Sequence, residues 1–220
     1  KKKLPEEQDF ILGLYSNIDF HAQWLSDPIN YADNNHGIMM DMALLQIALF
    51  YPFLDKADFY YQTAIDRISE RYREDVTELG VHKENSPGYH PFVMELLEVV
   101  FNMLRNYDKQ PPQDLQDIFS GMKNYLVYVT KPNGYWPIIG DTQHGQYKFA
   151  QVKVPTPEIE WVMSQGSKGA KPDKTVYYPD AGYVIVRDKW YPGDDFEKSM
   201  FLDFTCGYTT SVLKHGDMLS

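Results

Sequence analysis

The sequence predicts a mainly α-helical chain with β structure at its C-terminal end: part of an (α/α) toroid followed by antiparallel strands. Three observations predict it. Five segments between residues 5 and 129 carry apolar residues at helical spacing, and they alternate between one apolar stripe and apolar character on most faces. Beyond Pro132-Asn133-Gly134 the texture turns to Gly, Pro, Lys and Gln, with no long helical pattern. From Tyr177 short β-branched and alternating runs take over.

The first helix is expected at about 5–26, with Phe10, Ile11, Leu14, Ile18, Ala22 and Leu25 on one stripe. The second, about 36–51, runs from Ile38 and Met39 to Leu49 and Phe50 and is apolar nearly all round. The third, about 56–79, returns to a stripe (Tyr61, Ala64, Ile65, Ile68, Tyr72, Val76, Leu79), with Gly80 as its stop. The fourth, about 91–106, is apolar over most of its surface, and the fifth, about 112–129, shows the stripe Leu115, Ile118, Phe119, Met122, Leu126 and Val129. A one-stripe helix belongs at the surface and an all-round apolar one inside. Exposed, buried, exposed, buried, exposed therefore describes two layers of antiparallel helices. A plain helical bundle is the alternative.

Strands are expected at Gly182–Arg187 and Met200–Thr205, separated by turn residues at Gly193-Asp194-Asp195. Two strands make a marginal unit, so the sheet is expected to continue past Ser220 or to pair with another part. The chain has no initiator Met and its last residues read as the middle of a strand, so it reads as a piece, or a processed product, of something longer. The domain division expected is 1–165 for the helical part and 166–220 for the start of the β part.

Composition removes several function classes. A formal net charge of −10 argues against nucleic-acid binding, although a local cleft on an acidic protein can still take an anionic sugar. The single cysteine, Cys206, excludes an internal disulfide framework and a thiolate zinc cluster. Asp41, Glu95 and Glu98 interrupt the longest apolar runs, so no membrane span is expected. No apolar signal-peptide region follows Lys1-Lys2-Lys3.

Two matching helix entrances carry the chemistry. Asn34-Asn35-His36-Gly37 opens the second helix, and Ser86-Pro87-Gly88-Tyr89-His90-Pro91 opens the fourth. Asn35 and Tyr89 lie 54 positions apart (89 − 35) with one helix between them, so they occupy the same place in a helix-pair repeat. Residues at the same end of successive inner helices are expected to face one cavity. Asn35 is either a helix cap or, with His36 and the helix dipole, a donor to an anionic group. Tyr89 is either a packed tyrosine or a placed phenol. Glu84 and His90 flank it; Glu84 more commonly bonds nearby amides, and His90 either helps cap the helix or takes part in the site. Trp136 is either a sugar-stacking platform or a lid on the core, and Asp141 organises its loop or reacts. His215 alone is a weak metal signal.

Together these residues carry a resemblance. Asn35-His36, Lys83-Glu84-Asn85-Ser86-Pro87-Gly88-Tyr89-His90, Pro137-Ile138-Ile139-Gly140-Asp141, Tyr178-Pro179-Asp180-Ala181-Gly182-Tyr183 and His215-Gly216-Asp217-Met218-Leu219-Ser220 resemble the heparinase II/III-like polysaccharide lyases in order and spacing. The resemblance implies an (α/α) toroid followed by a C-terminal β-sandwich, and β-elimination on an acidic polysaccharide or oligosaccharide. It implies Asn35, His36 and Tyr89 as catalytic residues, with Glu84, His90, Trp136 and Asp141 in substrate binding. It also implies a structural divalent metal, zinc or calcium, at His215, no organic cofactor, and a bacterial periplasmic or secreted location. One departure stands out: where the family shows His-x-His-x-Asp, this chain has Leu213-Lys214-His215-Gly216-Asp217. Leu213 holds the place of a catalytic histidine and cannot transfer a proton.

The implied chemistry is physically coherent. The proton beside a uronate carboxylate is weakly acidic until the carboxylate is neutralised, which Asn35 and His36 are suited to do. A phenol of pKa about 10 serves as base near neutrality only beside a cation or helix dipole. One tyrosine can serve both the proton and the leaving oxygen when they share a sugar face. Two other classes compete. A glycan-binding protein without turnover is favoured by Leu213, and a toroid glycoside hydrolase would use Glu84 and Asp141, whose carboxyls need to lie about 5–9.5 Å apart.

Overall fold

The computed structural model describes residues 5–143 and 156–206. The described residues fall in two compact units, bounded Lys1–Arg71 with Val99–Pro111, and Tyr72–Glu98 with Pro112–Ser220. The chain is mainly helical with a small antiparallel sheet at the C-terminal end, as the periodicity predicts. The helices are α1 (Pro5–Ser26), α2 (Asn35–Phe50), α3 (Ala57–Asp75), α4 (His90–Asn106), α5 (Gln113–Val129) and the short α6 (Pro157–Met163). The strands are β1 (Thr175–Tyr178), β2 (Tyr183–Arg187) and β3 (Phe201–Thr205).

In the first unit α1 packs on α2. Pro28 ends α1, and Asp27 accepts from the Ile29 N–H at 3.0 Å to start a single 3-10 turn, Pro28–Asn30. The residues of α2 buried against the core are Ile38, Leu44, Leu45, Ala48 and Leu49, while Met39 and Phe50 stay exposed. The all-round burial expected of α2 is therefore one-sided among the described residues. The stripe expected on α1 is covered only toward its end: Ala22 is buried, but Phe10 and Leu14 are exposed. Periodicity says which residues share a face, not whether that face is covered.

In the second unit α3 stops at Asp75, four residues before the expected end (79 − 75). Val76 leaves the helix to bridge His82, and the Thr77 hydroxyl accepts from the Val81 N–H at 3.1 Å. A β-branched residue whose oxygen bonds the backbone locally favours a turn over a helix. Gly80 closes that turn at φ +89°, and a Cβ there would lie 2.0 Å from the Gly121 carbonyl carbon. On α5 the last five residues, Tyr125–Val129, are all buried, so this helix ends inside rather than on the surface.

The sheet is an antiparallel meander, β1-β2-β3, with Tyr178 opposite Tyr183 and Tyr183 opposite Thr205. Strand β2, expected as a β-branched run, buries alternate residues, Tyr183, Ile185 and Arg187, while in β3, where alternation is expected, Leu202 and Phe204 are exposed. The inner face of β2 meets α5 through Tyr125, whose ring lies edge-on to Tyr178 at 5.4 Å and to Tyr183 at 5.7 Å. The segment expected as a turn at 193–195 is a 3-10 helix, Gly193–Lys198.

Candidate functional site

The first entrance belongs to the first unit. Asn34, not Asn35, is the N-cap of α2: its backbone is extended (φ −165°) and its side-chain oxygen accepts from the His36 N–H at 2.8 Å. Asn35 is thereby the first helical residue, half-buried, and its amide is not the cap; His36 is exposed. Gly37 permits the entrance to form, because the Tyr31 ring fills the space beside it; a Cβ there would lie 2.7 Å from the Tyr31 Cζ and 2.1 Å from the Ala32 carbonyl oxygen. Behind the entrance lies Asp41, fully buried, with Arg67 Nη1 at 3.6 Å from its Oδ1. Burial pushes the Asp41 pKa up to about 7, against the opposing pull of Tyr31 and Arg67. Burial also raises the Tyr31 phenol, with Asp41 adding to the shift.

The second entrance belongs to the second unit. Tyr89 is half-buried and sits immediately before α4, its N–H donating to the Ser86 carbonyl at 3.0 Å. The His82 ring lies 5.8 Å away and the Phe92 ring 5.3 Å away. His82 is buried and accepts from the Glu84 N–H at its Nδ1 (3.4 Å); burial pulls its pKa down to about 3, with His90 and Lys83 adding to the shift. His90 is 1% exposed, and its Nε2–H donates to the Met122 carbonyl at 3.0 Å, the only direction open to a carbonyl partner. Burial holds its pKa near 4. Both imidazoles beside Tyr89 are therefore neutral at physiological pH, and neither is the cation that would lower a phenol.

The loop after α5 is stapled to this turn. Thr142 Oγ1 accepts from the Gly88 N–H at 2.8 Å and lies 3.4 Å from the Ser86 hydroxyl. A Cβ on Gly88 would approach Thr142 to 3.0 Å, so the close seat depends on glycine. From the sheet, the Tyr183 hydroxyl donates to the Asn85 carbonyl at 3.3 Å. Asn85 takes the left-handed conformation (φ 53°), which asparagine tolerates.

The expected site residues are thus distributed as follows. Asn35 and His36 share the first entrance, half-buried and exposed, and Glu84 (half-buried) and Asp141 (exposed) flank the Tyr89 turn and its stapled loop. Two expectations need correction. Trp136 is 3% exposed, and its Nε1–H donates to Thr130 Oγ1 at 3.0 Å, so it is a lid on the core and offers no face to a sugar. His90 is buried with its donor on a backbone carbonyl, so it supports the turn rather than touching substrate. His215 and Leu213 lie outside the described residues. Among the described residues no group of three or more His, Cys, Asp or Glu is placed to hold a metal, and no helix is long and apolar enough to cross a membrane. Sequence reasoning overlooked His82, Thr142 and the pair Asp41–Arg67. Of these only Asp41 left a trace, as an acid in an apolar run.

The sequence profile described as Heparinase II/III N-terminus matches residues 4–156. Among solved structures, heparan sulfate lyase HepC from Pedobacter heparinus is similar at 18% identity and TM-score 0.72, covering 90% of this chain and 31% of that one. The Heparinase III-BT4657 gene product is similar at 20% identity and TM-score 0.71, covering 90% of this chain and 32% of that one. A structure named Heparinase III gives 18% identity and TM-score 0.68, covering 92% and 33%. A comparison with curated proteins gave no match. The chain spans about a third of the length of these solved relatives. The fold they share with it is the helical part of an (α/α) toroid followed by the opening strands of a β domain.

Proposed function

We propose, on the premise that this chain belongs to the heparinase II/III N-terminus family, that the protein carrying it is a polysaccharide lyase acting on a uronic-acid-containing polymer. The observation that carries this reading is the family match over residues 4–156. The neighbouring structures named as heparan sulfate lyases support an acidic polysaccharide as substrate.

In the proposed reaction the Asn35 amide and His36 hold the uronate carboxylate at the start of α2, where the helix dipole also favours an anion. Because Asn34 takes the cap, the Asn35 amide is left for that task. The Tyr89 oxygen accepts the proton from the carbon beside the carboxylate. The electron pair forms the new double bond, and the bond to the 4-linked oxygen breaks as that oxygen is protonated by the same phenol. Glu84 and Asp141 border the Tyr89 turn as substrate-binding residues. The reading requires Asn35 and Tyr89 to meet on one sugar ring. A structural metal at His215 and a periplasmic or secreted location belong to the same proposal, and no step depends on either.

The test is incubation of the intact protein with heparan sulfate, hyaluronan, alginate and other uronic-acid polymers, following ultraviolet absorbance of unsaturated ends. Release of such ends, lost in Tyr89→Phe with the fold retained, is expected. Saturated reducing ends would replace this reading with hydrolysis. A second reading, acidic-glycan binding without turnover, is favoured by Leu213 in place of the family histidine. Binding of oligosaccharide with no product of either kind would establish it.

A further inference from the structure

We propose that Arg67, seated against the buried Asp41, is a positioning residue that sets the direction of the Asn35–His36 entrance. The inference rests on the lyase reading above and adds to it a residue that touches no substrate.

The argument is one of fastenings. Asn35 is the first residue of α2, so its direction follows from how the segment between α1 and α2 is held. The Arg67 guanidinium donates to the Leu25 carbonyl at 3.0 Å and to the Ser26 carbonyl at 2.8 Å, where α1 ends. The same guanidinium lies over the Tyr31 ring, 4.7 Å from its centroid. That ring fills the space beside Gly37, two residues after Asn35. One turn further along α3, Arg71 pairs with Asp33, the residue before the Asn34 cap. Positions 67 and 71 share a face of α3, so that face grips the segment at its beginning, its middle and its end.

Asp41 gives the grip its fixed point. It lies on α2 itself, six residues after Asn35 (41 − 35), and is fully buried. Its carboxyl oxygens face Tyr31 and Arg67, but among the described residues neither makes a hydrogen bond of good geometry. The approach of Arg67 is 3.6 Å, an ion pair without hydrogen-bond geometry. A buried acid so poorly satisfied costs stability rather than adding it. Its effect is to hold the guanidinium against the flank of α2, between the carbonyls of α1 and the Tyr31 ring. Lysine would keep the charge at position 67 but lose the planar fork that spans two carbonyls while stacking on the ring.

The test uses the intact protein, with heparan sulfate as the probe and Arg67→Lys and Asn35→Ala made singly and together. Arg67→Lys is expected to lower kcat about 10- to 100-fold, as misplaced groups do, with KM within about twofold. In the Asn35→Ala background it is expected to cost clearly less, since only His36 is left to misplace. Equal losses in both backgrounds, or an unchanged kcat, would overturn the proposal. A second measurement does not depend on activity. Hydrogen exchange at the amides of residues 36–38 is expected to rise about tenfold or more in Arg67→Lys, while residues 90–97 stay protected. Unchanged exchange at 36–38 would also overturn it. If exchange rises as expected but the parent protein eliminates none of the uronic-acid polymers, the lyase reading fails and the positioning role stands.

Discussion

The two helix entrances are held by different physics. Behind Asn35 and His36 lie charges: Arg67 against the buried Asp41, and Arg71 paired with Asp33. Around Tyr89 lie buried, neutral polar groups: His82, His90, Ser86 and Thr142, with the Tyr183 hydroxyl on the carbonyl of Asn85. The difference suits the work proposed for each. An amide that neutralises a carboxylate needs direction, and ion pairs and a guanidinium fork supply direction. A phenol that carries a proton needs neighbours that do not compete for it. Histidines held near 3 and 4 are poor proton acceptors, so they shape the turn without intercepting the proton.

The sharpest way to break this comparison is catalytic. Tyr89→Phe keeps the ring against His82 and Phe92 and removes only the oxygen, so product release is expected to vanish while the melting temperature barely moves. Asn35→Ala is expected to lower kcat on the order of 10²–10³, the usual cost of one preorganised donor, and to change KM far less. A loss confined to KM would make Asn35 a binding group and leave the first entrance without a part in the chemical step.

A smaller effect separates the entrances by sign. The folded pKa of Asp41, about 7, lies above the 3.8 of an unperturbed aspartate. Its contribution to stability is present at low pH and is lost as pH rises toward 7 and beyond. His82 and His90 are opposite: held near 3 and 4, below the unperturbed 6.5, they favour the fold above pH 6.5. That contribution is lost as pH falls from 6.5 toward 4 and 3. Hydrogen exchange measured from pH 8 to pH 5 is expected to show residues 82–97 losing protection, by on the order of 2 kcal/mol per histidine. Residues 36–49 are expected to hold or gain protection over the same range, and Asp41→Asn to remove their pH dependence. The same sign in both segments would show that the buried charges do not control local stability as argued.

Both entrances were legible in the sequence because helix starts have a chemistry of their own: a polar cap, a glycine or proline, then an apolar run. The five long helices were legible for the same reason, within a residue or two at most ends. What failed, failed where a partner decides. Thr77 and Gly80 end α3 early because Val76 pairs with His82, a contact that no local pattern announces. Strand β1 begins at Thr175, ahead of the run seen from Tyr177, because β2 supplies its ladder. The place of Trp136 is decided by Thr130, which accepts its indole N–H from six residues away and which no local pattern announces. Asp41 was read only as an interruption, because an acid in an apolar run looks the same whether it faces water or a buried arginine.

The smallest expected effect compares two neighbours. Asn34 and Asn35 are chemically identical, and from sequence either one is a cap. Asn34 holds the His36 N–H, so Asn34→Ala is expected to cost about 1 kcal/mol of stability. It should leave kcat within a few-fold, because Arg67 and Arg71 still fasten the segment at other points. Asn35→Ala is expected to do the reverse, with a melting temperature near that of the parent and a large loss of turnover. Thermal melting and initial rates on the same two variants decide the matter. If Asn34→Ala destabilises as expected and also loses turnover as severely as Asn35→Ala, the cap itself sets the amide's direction, and the arginines beneath it are secondary.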